Sequence, residues 1–510
     1  MAGTIASDAM RPGTRATGAD LRAARVTLRS PGERFAAEIL RTLAGLREKG
    51  LDRTEALRAL FPNTILPDGT YEDLVTGILS GAHLLFFGPS GAGKTSLAKD
   101  LWDLFPKGVW VVEGCPVLDH PLSLVDPDTA ARFPPCPICR RRFSPDGDAS
   151  RFDAASTDPA RVPAEFVLLR EGYGFARLQG SSEVFPDHLT GNINLRKLEE
   201  VGDPMSPLVL EPGKLLQANR GFLLVDEIGK LPVGTQNVLL QALQEGTVTP
   251  SKSRETFPGS FVAVGTSNLS DLDNINDPLS DRLTSLHIGY NERHADNRRI
   301  VTVGRSGERA YVPEILVDAG VRVVEAWRQR MSEENPDIGE VGSNRTLLDV
   351  ASRTAAVAAL SLHGVPGSTD LKAGLLHAMR GRIRARSGDS FRQNERRVTE
   401  FIDQYLPPAL KRSAGVYWCR YFRGALKENG GEAEALIGEG RRLKDDAELR
   451  GQAATEGTLF PKFRGFARYV AERERADPGG GSLDTAVNVF RLLEEFSLFS
   501  CGEDDDDTPL

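Results

Sequence analysis

The chain has 510 residues and a net charge of −8, from 63 Lys and Arg against 71 Asp and Glu. That length exceeds one compact core and points to about three folded units of ~100–200 residues each, and the acidic balance excludes a polyanion binder that works by bulk field. No apolar run nears the ~20 residues of a bilayer span and the first 30 residues lack a secretory apolar stretch, so a cytoplasmic protein with no membrane partner is expected.

Residues 1–30 are rich in Ala, Gly, Thr and Arg without an apolar period, and read as a flexible arm. Over 31–70 Phe35, Ile39, Leu43, Leu46, Leu57 and Leu60 recur at helical spacing, a helical lead-in. From 71 to 300 short apolar strands alternate with helices, the pattern of an α/β core with a parallel sheet. Strands are expected at 84–87, 109–112, 222–225, 261–264 and 286–288. The interval between the second and third far exceeds an ordinary crossover; it holds a cysteine-bearing insertion at about 114–165 and an apparent strand at 166–169. Beyond 300 only helical periods continue, through 301–390 and then a C-terminal helical region at 391–500 with a Gly-rich break at 477–482. An acidic tail, 501–510, closes the chain. The Arg-rich stretch 379–397 reads as a solvated helix face, so nucleic acid is not an expected partner. The aromatics Tyr417, Trp418, Tyr421 and Phe422 read as helical core.

The strongest chemical signal is GPSGAGKT (88–95), set directly after a strand and before the helical run SLAKDLWDLF. It satisfies G-x-x-x-x-G-K-[ST] in the strand–loop–helix context that the motif requires. Gly88, Pro89, Ser90, Gly91, Ala92, Gly93 and Ser96 form the nucleotide-binding segment, whose backbone N–H groups (all but that of Pro89, which has none) curl around a phosphate, aided by the helix N-terminus. Lys94 adds a point charge for the β/γ-phosphates, and the Thr95 hydroxyl is a Mg²⁺ ligand. A second apolar strand, FLLV, ends in Asp226 and Glu227; the first is placed to hold Mg²⁺ and the second to polarise the attacking water. Asn268 is a polar tip on the next buried strand, and Arg282 lies near the fifth.

Five Cys are too few, and odd in number, for a secreted disulfide framework. Cys115, His120, Cys136 and Cys139 offer four ligands for tetrahedral Zn²⁺, two of them on a CPIC knuckle, with His188 a substitute for His120. In a long loop with little core of its own a metal would contribute folding free energy. Unligated buried thiols and a redox C-x-x-C are the other readings.

These segments resemble an AAA+ ATPase, most closely the magnesium-chelatase I-subunit and MoxR group. The likeness is carried by LTGNINLRKL (189–198), LEPGKLLQANRGFLLVDEIGKLP (210–232), FVAVGTSNLSDLDNINDPLSDRL (261–283) and GSNRTLLDVASRTAAVAALSLHG (342–364), and covers about 71–383. It implies a P-loop core with a helical lid at 301–390, and ATP with Mg²⁺ as cofactors. It also implies Asp226 and Glu227 as the Walker B pair, Asn268 as first sensor and Arg345 as second sensor on the lid. Arg282 becomes a finger onto the neighbouring subunit's ATP, in a homo-oligomeric ring, usually a hexamer. The work implied is remodelling or activation of a protein client, often one with a von Willebrand A domain. The runs VVEGCPVLDHPLSLVDP (111–127) and PPCPICRRRF (134–143) are similar to a segment of bacterial AAA+ serine protein kinases, although no kinase catalytic loop or DFG signature is present. A kinase or stress regulator, and a nucleotide-gated scaffold with little turnover, are therefore the rival functions.

Overall fold

The computed structural model describes residues 10–204, 206–251, 253–304, 311–334, 342–380, 390–427, 429–474 and 482–501. The first nine residues of the expected arm, positions 381–389 of the Arg-rich stretch, the Gly-rich break up to 481 and the acidic tail from 502 lie outside the described residues. The chain divides into two compact units, Met1–Gly88 with Gly93–Gly289, and Pro89–Ala92 with Tyr290–Leu510.

The first unit is built on a six-stranded sheet: β1 (His83–Gly88), β2 (Arg170–Glu171), β3 (Gly174–Gln179), β4 (Phe222–Asp226), β5 (Val262–Asn268) and β6 (Leu283–His287). The order is β6-β1-β5-β4-β3-β2, and every neighbouring pair runs parallel. All five residues of β4 are buried, as expected of a central strand covered on both faces, which must be apolar at successive positions rather than at alternate ones. Register brings Gly88 beside Asn268 and Gln179 beside Asp226. Polar residues thus gather at the carboxyl ends of the strands, where open parallel sheets bind ligands.

Two expectations are corrected. The apolar run 109–112 does form a strand, Gly108–Val112, but outside the parallel sheet. It pairs antiparallel with Pro163–Leu168, which pairs in turn with Arg15–Thr17. An apolar run reports burial and not the identity of the neighbouring strand; β3 takes the place expected for it. The arm is also ordered over its described part. Arg15–Thr17 is a strand, Thr17 and Asp20 form a capping box on the helix Gly18–Ala23, and Leu21 is buried. Leu21, Val117, Cys115, Cys136 and Cys139 share one apolar cluster with Leu223 and Val225 of β4, so the insertion has no separate core.

The second unit is helical from His294–Gly304 to Ser482–Leu492. A continuous apolar cluster runs from Val301 to Leu493 and includes Trp327, Tyr417, Trp418, Tyr421, Phe463 and Phe490. Burying each such side chain is worth roughly 1.5–3 kcal/mol, and the C-terminal aromatics are core, as their spacing suggests. Among the described residues no helix is long and apolar enough to cross a membrane.

Candidate nucleotide site

The GPSGAGKT loop leaves β1 at Gly88, whose φ of 152° and close approach leave no room for a side chain: a Cβ there would lie 2.1 Å from the Ile288 carbonyl oxygen. The following helix, Lys94–Leu104, begins after Gly93 (φ 105°) with no side-chain cap and no acidic residue in its first turn. Its first amides are therefore left for an external acceptor. Nothing among the described residues lies within 4 Å of where a Gly93 Cβ would sit. An uncapped helix start beside open space fits a phosphate group, and the acidic residues close to it fit a divalent cation.

Lys94 is buried, and its Nζ donates to the Gly88 carbonyl at 2.8 Å and to Asn268 Oδ1 at 3.1 Å. The Thr95 hydroxyl donates to Asp226 Oδ1 at 2.9 Å. Residues of the loop, of β4 and of β5 therefore meet as the sequence motifs require. The Thr95 and Asp226 oxygens are the pair that would hold Mg²⁺, and the loop amides with Lys94 would hold the phosphates.

Four further residues organise the acidic end of β4 and were not singled out from the sequence. Arg177 on β3 donates to Asp226 Oδ2 at 2.7 Å. Thr266 on β5 donates to Asp226 Oδ1 at 2.7 Å and accepts from the Glu227 amide at 3.0 Å. Gln179 at the end of β3 donates to Glu227 Oε2 at 2.9 Å, and Lys230 lies 3.1 Å from the same oxygen. Burial alone would raise the Asp226 carboxyl, but hydrogen bonds from Thr266, Arg177 and Thr95 outweigh it and hold the group below its usual range. Only alternation in FARLQ could have marked Arg177 and Gln179, and so short a run carries little periodic signal. Glu227 itself has left-handed backbone, φ 55°, which turns the chain away directly after Asp226.

Arg282 is exposed at the head of β6. With the Gln244 amide oxygen turned toward it, its Nε and Nη2 lie 3.2 and 3.1 Å from that oxygen. Arg345 is exposed near the start of the helix Asn344–Leu360 in the second unit. Within that unit Asn344 Nδ2 donates to the Ala92 carbonyl at 3.2 Å. Pro89, Ser90, Gly91 and Ala92 group with the second unit, and Gly88, Gly93, Lys94, Thr95 and Ser96 with the first.

The cysteine constellation differs from expectation in one ligand. Cys115, Cys136, Cys139 and Asp119 place one donor atom each within 4.8 Å of one another, and all four residues are buried. His120 is outside this group. Its Nδ1 accepts from the Leu122 amide at 3.1 Å and caps the turn Pro121–Leu124. The cause is local: Leu118 has φ 65°, and the reversed backbone turns Asp119 rather than its neighbour toward the sulfurs. His188 is also elsewhere, accepting from the Phe185 amide at 3.3 Å.

A parallel sheet with a phosphate loop after β1, a polar tip on the adjacent β5 and an acidic pair at the end of β4, on the far side of β5, matches the AAA+ P-loop fold. Residues 80–303 match the family model described as the PrkA AAA domain. The magnesium-chelatase 38 kDa subunit of Rhodobacter capsulatus is 27% identical over 203 residues, which cover 39% of this chain and 47% of that one. The serine/threonine kinase YeaG of Escherichia coli K12 is 26% identical over 242 residues, covering 42% of this chain and 37% of that one. The chain thus spans less than half the length of these two relatives. A cryo-EM-based structure of the BchI–BchD complex of magnesium chelatase superposes with a TM-score of 0.32 at 22% identity, covering 65% of this chain and 97% of that one.

Proposed function

We propose that the chain binds ATP with Mg²⁺, hydrolyses it, and couples turnover to remodelling or activation of a partner protein, as chelatase and MoxR ATPases do. The observation that carries this reading is the pairing of Thr95 with Asp226 beside that of Lys94 with Asn268. Mg²⁺ would neutralise charge on the phosphate oxygens. Lys94 and the loop amides bind the phosphates, Glu227 takes a proton from the attacking water, and Asn268 orients that water. Arg282, exposed and away from this cluster of contacts, acts on a neighbour's nucleotide in a ring, by kinship a hexamer. Arg345 acts as second sensor. The partner expected by kinship carries a von Willebrand A domain, and the setting is the cytoplasm. Zinc belongs to the insertion and not to the nucleotide chemistry.

Phosphate release and ATP binding test this reading together. Lys94→Ala loses ATP binding, whereas Glu227→Gln keeps it and slows phosphate release ~100-fold or more. Release unchanged by Glu227→Gln overturns the hydrolytic role and favours a nucleotide-gated scaffold. A protein kinase is the second reading, favoured by the match to the PrkA AAA domain and by the YeaG relative. Labelled γ-phosphate appearing on protein, and persisting in Glu227→Gln, would support it over the first.

A further inference from the structure

Four buried groups, three thiols and one carboxyl, converge in the insertion with no part in the nucleotide site. An interior does not ordinarily hold such groups together, because burying an anion costs several kcal/mol unless a counter-charge offsets it. The geometry is that of a single small ion. Cys115 Sγ and Cys136 Sγ lie 3.9 Å apart, whereas tetrahedral thiolates on Zn²⁺ at ~2.3 Å are roughly 3.8 Å apart and a disulfide requires about 2.05 Å. Backbone amides point at the sulfurs as they do around bound thiolates: Asp119 N–H donates to Cys115 Sγ at 3.3 Å and Cys139 N–H to Cys136 Sγ at 3.4 Å. Asp119 Oδ2 accepts from the Cys136 amide at 2.8 Å, which holds the carboxylate against the knuckle.

We propose that Cys115, Asp119, Cys136 and Cys139 bind one structural zinc ion, and that Arg220 balances the charge of the filled site. Three thiolates and a carboxylate around Zn²⁺ leave about two negative charges. Arg220 is buried, and its Nε and Nη1 have no hydrogen-bond partner; burial disfavours its charge, whereas Asp119 and Cys115 favour it. It directly precedes Gly221 and β4. Beside it Asn219 donates from Nδ2 to the Val117 carbonyl and accepts at Oδ1 from the Ser260 amide. The metal therefore pins the insertion to the base of the strand that ends in Asp226. A closed set of four protein ligands leaves no position for substrate, so the ion folds the loop and performs no chemistry.

The proposal is independent of nucleotide hydrolysis, because metal content is read on nucleotide-free protein. Elemental analysis of the full chain should find close to one zinc per chain, and cobalt exchange should give an intense thiolate-to-cobalt charge-transfer band. Asp119→Ala should weaken zinc retention against a competing chelator at least tenfold, whereas His120→Ala should retain the metal. Folded protein without zinc, iron in its place, or zinc lost in His120→Ala but kept in Asp119→Ala each overturns the assignment. If Asp119→Ala does not fold, the wild-type cobalt spectrum decides: a band of three-thiolate intensity upholds the site, and its absence rejects it.

Discussion

Thr266 does two jobs with one hydroxyl, donating to Asp226 and accepting from the Glu227 amide. Thr266→Val leaves a buried carboxylate short of one donor and a backbone amide short of its acceptor. Each orphaned group costs about 1–3 kcal/mol, so the urea midpoint should fall accordingly; an unchanged midpoint would remove Thr266 from this account. Gly88 is the sharper case. Its Cβ would meet the Ile288 backbone, which cannot swing aside as a flexible side chain can. Gly88→Ala should therefore abolish ATP binding and lower the melting temperature, and a variant that binds ATP normally would show that the loop does not need this approach. Lys94, Thr95, Asp226 and Glu227 were legible in the sequence because a phosphate loop and an acidic strand end are local patterns. Arg177, Gln179 and Thr266 were not, since their importance comes only from the register that sets β3 and β5 on either side of β4.

At the scale of elements, one carboxylate ties three helices of the second unit together. Asp318, on Glu314–Glu334, accepts from Arg322 Nε of its own helix at 2.9 Å. His294 Nε2 and Arg298 Nε of His294–Gly304 lie 2.9 Å from it, and the Ser413 hydroxyl of Phe391–Ala425 donates at 2.6 Å. Asp318→Ala strands several buried donors and should cost about 3–5 kcal/mol, seen as a large loss of chemical stability. His294 also contacts Glu325 at 2.8 Å. Burial would lower its pKa, but the bonds to Asp318 and Glu325 outweigh burial and raise it above 6.5. The charged form is thus favoured in the folded state, and its stabilisation is complete below about pH 6.5 and is lost as pH rises through the raised value. Unfolding free energy measured from pH 6 to 9 should decline over that interval in wild type and flatten in His294→Gln. A slope equal in both would exclude His294 as the source.

At the scale of the whole molecule, the proposed action of Arg282 on a neighbouring chain makes a prediction that no single chain can satisfy. Lys94→Ala and Arg282→Ala should each be inactive alone. Mixed in equal amounts, they should recover part of the phosphate release, because some interfaces then join an intact loop to an intact arginine. No recovery under conditions that form rings would place Arg282 outside the reaction. Within the first unit, the three-stranded sheet and the cysteine cluster share one apolar core with the parallel sheet. Removing the proposed zinc with a chelator should therefore raise the ATP dissociation constant indirectly, without any metal contact to ATP; an unchanged constant would separate the cluster from the nucleotide site.

Chain order alone determined the P-loop class, the acidic couplet, the Asn268 tip and the three cysteines, because each depends on residues a few positions apart whose spacing is the chemistry. Tertiary structure decided which sheet Gly108–Val112 joins, that Arg15–Thr17 is a strand, and that Asp119 and not His120 faces the sulfurs. Those outcomes turn on pairing partners distant along the chain and on the left-handed turn at Leu118. Hydrophobic pattern records that a segment is buried; only packing selects what it is buried against.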